Sequence, residues 1–590
     1  MKTFMINVSN ERLLRVAEVV SKRLADRGMI KADGAEFTLC VKLDDTMRAD
    51  SYRITGKPTR LTVTADTLIN AYAGCGAVLY GSEFDENGII PTSKRGITTP
   101  DCRVRCVYTA THFHTFYWMA PIDELYEYYD DLALMGVNQI HLSMPFLEEV
   151  VGNSEIQAAF DRLSLMQKHV NRLGMRLSTS ATTSCTFLPI PAEAASKPIY
   201  DPWGLRCEGG RKVCPSTEIG QEILDRQNRM VLGEYKKRGV VIDEIGTNPY
   251  DEGGCGCEKC SPWGGTGYIK AAKRAKKVAR EIFPNCTLTP SVWLFDTPPS
   301  GEWDGLKKSL DDEKWCECIM ADSHTEYPRY PIDNGVPGDL PLIAFPEISM
   351  WGLWPWGGYG ASFFPHRYTK IFRATEGMLD GGKMYSEGIF EDLNKYVVAG
   401  LYRDFNNDPD AAVAEYAKYH FGCSCPELFV EMVGLIEKNH VKNYDRVKIN
   451  LTPENNLSDF SLAERALELA EQINASLPEW GKTSWRWRLM YIRAHVDYHR
   501  YNNEIMHETP KVVEMFNEVM EIYHCMKNYT IEQDPQHFKL RPPLPIVDMN
   551  FDINKYKRSS IGVAYSNGLI INGKPIEKTK DSDTLRGTEA

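Results

Sequence analysis

No stretch of this 590-residue chain supplies the roughly 18 consecutive apolar residues that a membrane-crossing helix requires. The opening segment, MKTFMINVSNERLLRVAEVV, also lacks a long apolar run behind its early lysine, so no secretory signal is expected. The expected compartment is the cytoplasm. A basic excess is missing as well. The chain has 68 Lys and Arg against 80 Asp and Glu, a net charge of -12. Nucleic acid and anionic membrane surfaces reward basic patches, so neither is expected as the main partner. No Gly-rich dinucleotide fingerprint follows any strand-like segment, and no organic cofactor is expected. There is no internal repeat beyond an alternation of strand and helix patterns.

What remains is the profile of a soluble globular protein, with 43% hydrophobic and 25% charged residues. The length suggests about three structural units. Aromatics reach 11%, including 12 Trp and 29 Tyr, and flat faces of that kind suit sugar rings as well as core packing. Without an export signal, the 16 Cys read as reduced thiols, some of them on metal, rather than as a disulfide frame.

Residues 1–98 have the pattern of a small α/β domain. In RLTVTAD, Leu61, Val63 and Ala65 alternate onto one face, which predicts a half-buried strand. Asp66 is placed to cap the helix TLINAYAGCG, and AVLYG is expected to return as a second strand. Residues 99–407 alternate strand and helix eight times, from VRCVYT through VNQIHLSM, MRLSTSATT, VVIDEIG, TLTPSVWLFD, WCECIMADS and LPLIAFPEISM to GKMYSEGIF. Pro121 opens a helix whose stripe is Ile122, Leu125, Tyr129 and Leu132, closed by Gly136. About 290 residues in this pattern fit a (β/α)8 TIM barrel, whose usual size is about 250 with insertions added. A doubly wound open sheet is the competing architecture. Residues 408–590 are mainly helical and end in a polar tail from about Gly573, expected to be mobile. Trp485 and Trp487 share a helix with the stripe Leu489, Ile492 and Val496, and read as packing residues.

Barrel chemistry belongs at the carboxyl ends of strands, and acids are found there. Asp251 and Glu252 follow the fourth strand, just after Asn248. Trp293 and Asp296 end the fifth, and Asp322, His324 and Glu326 follow the sixth. Ile343, Phe345 and Glu347 fall on one face by period two, so Glu347 should cap an inward row. Tyr385 and Glu387 share a face at the eighth strand, and His112 and His114 follow the first. The loop MWGLWPWGGYG adds Trp351, Trp354 and Trp356. Glu391 and Asp392 read as ordinary caps for the next helix. Acids on one rim with aromatic faces are what glycoside hydrolysis needs: a general acid, a nucleophile or base, and platforms for sugar rings.

The segments GAVLYG, PIDELYEYYDDLALMGVNQIHL, NPYDEGGCGCEKC, FPEISMWG and YSEGIFEDLNK, spread over roughly residues 50–405, resemble the β-N-acetylhexosaminidase and α-glucuronidase group of glycoside hydrolases. The resemblance implies a glycosidase acting on a small saccharide or glycoside. Two role assignments follow from it. In a hexosaminidase-like reading Glu252 is the acid and Asp251 orients the substrate acetamido group. In the wider barrel-hydrolase reading, which is preferred, the acid is Glu252 after strand four and the nucleophile is Glu347 after strand seven. Asp251 is then a partner or the acid itself, and Glu387 is the alternative nucleophile.

Cys255, Cys257 and Cys260 in NPYDEGGCGCEKCSPWGG have a spacing that lets three thiolates face one point, which favours zinc. A closed structural site needs a fourth ligand. Cys214 is the first choice because adjacent barrel loops touch, with Cys207 and Cys185 as substitutes. Catalytic zinc is disfavoured because no H-x-x-x-H spacing lies near. The loop therefore reads as an acid site held in shape by cysteines around a structural zinc. Two other functions stay in view: a carbohydrate-binding barrel without chemistry, and a metal-dependent lyase or isomerase using His112, His114 or His324. Whether the chain forms a homo-oligomer stays open.

Overall fold

The computed structural model describes residues 1–111, 116–143, 154–199, 211–250, 254–296, 300–323, 328–349, 362–375, 377–389, 391–439 and 459–502, with short pieces in 515–522 and 570–575. The N-terminal part is a six-stranded sheet in the order Ile30–Lys31, Thr3–Val8, Phe37–Leu43, Arg60–Ala65, Tyr52–Lys57 and Gly96–Thr98. Leu61, Val63 and Ala65 are buried while their strand neighbours are not, as the alternation predicts.

Two expectations fail in this part. AVLYG is the last turn of a helix, Leu68–Tyr80, and not a strand. A short apolar run without alternation fits a buried helix as well as a strand, and this helix is buried almost all round. It is wedged between the sheet and the barrel. A Cβ on Gly76 would lie 1.7 Å from the carbonyl oxygen of Leu134, so only glycine allows this approach. Asp66 does not cap the helix. Thr67 is the N-cap, and the Asp66 carboxylate instead accepts from the backbone N–H groups of Asp50 (2.7 Å) and Ser51 (3.3 Å) and from the Asn70 amide (2.7 Å).

Eight parallel strands follow: β1 (Val104–Thr109), β2 (Gln139–Leu142), β3 (Arg176–Ser180), β4 (Glu244–Thr247), β5 (Thr287–Pro290), β6 (Ile319–Asp322), β7 (Leu342–Phe345) and β8 (Leu379–Ser386). Each hydrogen-bonds to the next from β1 to β5 and from β6 to β8, and β8 pairs with β1 from Gly381↔Val104 to Ser386↔Thr109. Between β5 and β6 the wall is closed by a Ser291↔Met320 bridge, with the Val292 N–H on the Met320 carbonyl at 2.9 Å. This is the (β/α)8 barrel and excludes the open sheet. Helices Ile122–Leu134, Ser154–Arg172, Glu218–Lys237, Gly267–Ile282, Glu302–Asp312, Pro365–Arg373 and Asp392–Arg403 fall between or after the strands.

The C-terminal part is helical over Pro409–Phe421, Pro426–Asn439, Phe460–Ser476 and Trp485–Asn502. Trp487 is fully buried against Phe421 and Phe429, a packing residue as expected. One expectation is corrected here. Asp392 is no simple cap but the hub of a buried junction. It accepts from the Tyr128 and Tyr416 hydroxyls (2.9 and 2.8 Å) and pairs with Arg486 at 2.6 Å. Arg486 also reaches Asp131 at 2.9 Å, and Arg23 of the helix Leu14–Ala25 meets Asp131 at 2.6 Å. N-terminal sheet domain, barrel and C-terminal helices are joined through these four charges. Burial opposes the ionised Asp131, but Arg23 and Arg486 together hold its pKa below the usual range.

Candidate active site at the barrel mouth

Period-two geometry divides each barrel strand between the helices outside and the lumen inside. Ile140 and Leu142 of β2 join the main apolar core, whereas Gln139 and His141 make polar contacts. Lys383 of β8 meets Glu244 of β4 at 2.5 Å. Those strands are separated by β1, β2 and β3, so this contact crosses the lumen. Gln139 and Thr289 complete the Glu244 carboxylate with hydrogen bonds of 3.0 Å each. Burial raises the pKa of Glu244, but the charge of Lys383 outweighs it and the net shift is downward. The lower lumen is thus a neutralised polar plug.

Above it lies a layer of rings. Tyr108 stacks on His141, with centroids 4.2 Å apart and planes 11° from parallel. Tyr108, Phe345 and Tyr385 form a triangle with centroid distances between 5.4 and 5.6 Å. His141 is fixed from both edges: Nδ1 lies 2.9 Å from Ser178 Oγ, and Nε2 lies 2.8 Å from Ser143 Oγ. Sequence reasoning misses Tyr108, His141, Phe345 and the serines as site residues. For His141 and the serines a signal exists in the alternation of VNQIHLSM and MRLSTS, where polar residues occupy the positions that point into a barrel.

At the carboxyl end of this layer are two buried carboxylates, Glu347 and Glu387. The strand β7 stops at Phe345, and a short strand, Glu347–Ser349, resumes after Pro346 with Glu347 in register with Tyr385 of β8. The Tyr385 hydroxyl donates to Glu387 Oε1 at 2.7 Å. Glu347, Tyr385 and Glu387 are therefore brought together, at the rim where barrel enzymes carry their chemistry. Tyr368 donates its hydroxyl to the backbone carbonyl of Glu347 and fixes the short strand from behind.

The other described candidates sit around the same rim. Asp322 is the last residue of β6, in register with Phe345. The carbonyl of Asn248, just past β4, accepts from Thr183 Oγ1 at 3.1 Å, tying the loop after β4 to that after β3. Trp293 is half-buried against the core edge. Asp296 serves the fold: its carboxylate accepts the Glu302 N–H at 2.6 Å, and its own N–H donates to Glu302 at 2.9 Å. The fully buried Glu302 also accepts from the Gly264 N–H at 2.9 Å and from the Tyr250 hydroxyl, locking the loops after β4 and β5 together. Asp251, Glu252, His112, His114, His324, Glu326, Trp351, Trp354 and Trp356 lie outside the described residues, as does Cys207.

Beside this rim the sulfurs of Cys214, Cys255, Cys257 and Cys260 converge, all within 4.8 Å of one another. Hydrogen bonding from Cys260 pulls the Cys255 thiol down to about 5, while burial pushes Cys214 up to about 11. Cys185, a considered substitute, belongs to a different short strand, Cys185–Thr186, and is not in the group.

No family model matches the chain, and no curated protein does. Its fold is similar to solved glycoside hydrolase structures. A family 89 glycoside hydrolase from Clostridium perfringens, in complex with PUGNAc, superimposes with a TM-score of 0.61 over 98% of this chain and 77% of that one, at 12% identity. The same type of enzyme in complex with its substrate GlcNAc-alpha-1,4-galactose gives 0.59, with coverage of 98% and 76% and 12% identity. A GH138 enzyme targeting pectin rhamnogalacturonan II gives 0.54, covering 94% of this chain and 98% of that one at 10% identity. Sheet domain, barrel and helical region are thus an arrangement that glycosidases use.

Proposed function

We propose that this protein is a glycoside hydrolase that cleaves a small saccharide or glycoside at the barrel mouth. The observation that carries the reading is the pair of buried carboxylates, Glu347 and Glu387, set about Tyr385 at the ends of adjacent strands above a floor of aromatic rings. The likeness to family 89 and GH138 enzymes supports it at the level of fold.

Hydrolysis needs carboxyl groups on opposite sides of the scissile bond. Glu347 and Glu387 stand on one side. In the ring of eight strands β4 lies opposite β8, so the Asp251–Glu252 pair, which follows β4 in sequence, is the natural source of the other. We assign Glu347 as nucleophile or base and Glu252 as general acid, with Asp251 as its partner. The Tyr385 hydroxyl orients Glu387 beside the reacting centre, and the rings of Tyr108 and Phe345 give the sugar an apolar face.

A panel of aryl glycosides that includes N-acetylhexosaminides and glucuronides tests the reading. Glu347→Gln is expected to abolish turnover of every substrate the wild type accepts. Glu252→Gln should slow poor leaving groups far more than activated aryl ones, because a good leaving group needs little protonation. Wild-type rates in Glu347→Gln would transfer the nucleophile to Glu387. Saccharide binding without turnover on any glycoside would reject the hydrolase reading.

A further inference from the structure

We propose that Cys214, Cys255, Cys257 and Cys260 hold one structural zinc ion that clamps the loop after β4 to the loop after β3. Cys214 Sγ lies 3.7 Å from Cys257 Sγ and 3.8 Å from Cys260 Sγ. A tetrahedral zinc with Zn–S bonds of about 2.3 Å sets its sulfurs about 3.8 Å apart. Both pairs made by Cys214 therefore have ligand spacing, all four sulfurs lie within 4.8 Å of one another, and none is in a disulfide. Four cysteines close the coordination shell, so the ion has a structural role and no open position for substrate.

The surroundings suit a thiolate cluster. The Lys197 N–H points at Cys255 Sγ from 3.4 Å, and Ser216 Oγ lies 3.0 Å from Cys260 Sγ, two outer groups of the kind that orient and stabilise metal thiolates. The ammonium of Lys270 reaches Ser216 Oγ at 3.4 Å and the Lys259 carbonyl at 2.6 Å, bringing positive charge beside a site that four thiolates make anionic. The backbone is tailored too. A Cβ on Gly256 would lie 2.2 Å from the Pro198 carbonyl oxygen, and the Gly256 N–H donates to the Lys197 carbonyl at 2.8 Å. Three sulfurs come from one tight loop and the fourth from the turn before the helix Glu218–Lys237, so the ion would cross-link two loops at the edge of the main core, which Cys214, Cys255 and Cys260 join. Asp251 and Glu252, to which the hydrolase reading above gives roles, stand four and three positions before Cys255 in sequence.

Full-length protein purified without added metal should carry about one zinc per chain by elemental analysis. Refolding with cobalt in place of zinc should give the thiolate-to-cobalt charge-transfer and tetrahedral d–d bands of a four-sulfur site. Ser216→Ala, which leaves all four ligands in place, should weaken zinc binding about 10-fold or more in a chelator competition. Cys257→Ser should lose the zinc, and where that variant does not fold the cobalt spectrum of the wild type still decides. Zinc at one per chain in a protein inactive on every glycoside would support the metal site while rejecting the hydrolase reading. A folded, metal-free protein whose four cysteines alkylate freely, or are found paired as disulfides, overturns the proposal.

Discussion

The junction outside the barrel wall and the mouth at its end are both built on buried carboxylates, yet they treat the acid differently. At the junction Asp131 lies between Arg23 and Arg486, and Asp392 shares Arg486, with every contact between 2.6 and 2.9 Å. At the mouth Glu387 takes a neutral donor, the Tyr385 hydroxyl, and Glu347 is placed beside that tyrosine by strand register. An acid pinned between guanidiniums stays ionised through any reaction and serves the fold. In the hydrolase reading proposed above, an acid held by a hydroxyl next to aromatic faces is placed to accept a proton or form a bond. The same residue type thus ties the fold together at the junction and, in the proposed reading, carries the chemistry at the mouth.

The contrast is broken most directly at Arg486. Arg486→Ala leaves Asp392 buried without its guanidinium and Asp131 with Arg23 alone, a loss of roughly 3–5 kcal/mol. Urea unfolding should show it, while turnover per folded molecule at low temperature stays near wild type. A variant as stable as the parent would mean that the junction charges are spectators. Tyr385→Phe sharpens the other half. If the bond orients Glu387 for the reaction, its loss of about 1.5–3 kcal/mol should lower kcat/KM roughly 10- to 150-fold, with a smaller fall in the unfolding midpoint than Arg486→Ala gives. The reverse pattern would make Tyr385 a packing residue.

The smallest effect concerns a half-exposed pair of contacts, His366 with Glu437 (2.7 Å) and Asp410 (2.9 Å). The Glu437 hydrogen bond is the main cause raising its pKa from 6.5 to about 9. A raised histidine pKa stabilises fully below 6.5, and that stabilisation is lost as the pH climbs through about 9. Solvent screening keeps the slope shallow. Thermal melts across this window should show a slight decline that His366→Gln flattens.

Much of the barrel is legible in the sequence because period-two strands and 3.6-period helices alternate along most of it. VRCVYT is β1 as written, and the stripe from Ile122 to Leu132 lies on a helix that starts one residue after Pro121. AVLYG misleads because four apolar residues in a row have no period, and tertiary packing on two sides decides for helix. Asp392 misleads because its partners, Tyr128, Tyr416 and Arg486, are remote in sequence, and no local pattern reveals them. Glu347 and Glu387 stand out from strand-end position alone. The lumen is harder to see although Gln139, His141, Lys383 and Tyr385 occupy alternate positions in their strands, since polar residues there look like the solvent side of a sheet.

The Asp131–Arg486 contact spans 355 positions of the chain, whereas Asp131 and Arg23 are 108 apart. A ribosome adding roughly 5–20 residues per second delivers Arg486 some 20 to 70 seconds after Asp131. During that interval the nascent barrel has Arg23 available but not the second guanidinium, and the surface that will receive the helix Trp485–Asn502 is still uncovered. Contacts of such long range are also the slow ones in folding. Closure of the junction is therefore a late event in synthesis, and until then the nascent chain presents a half-neutralised, partly apolar face of the kind that molecular chaperones protect.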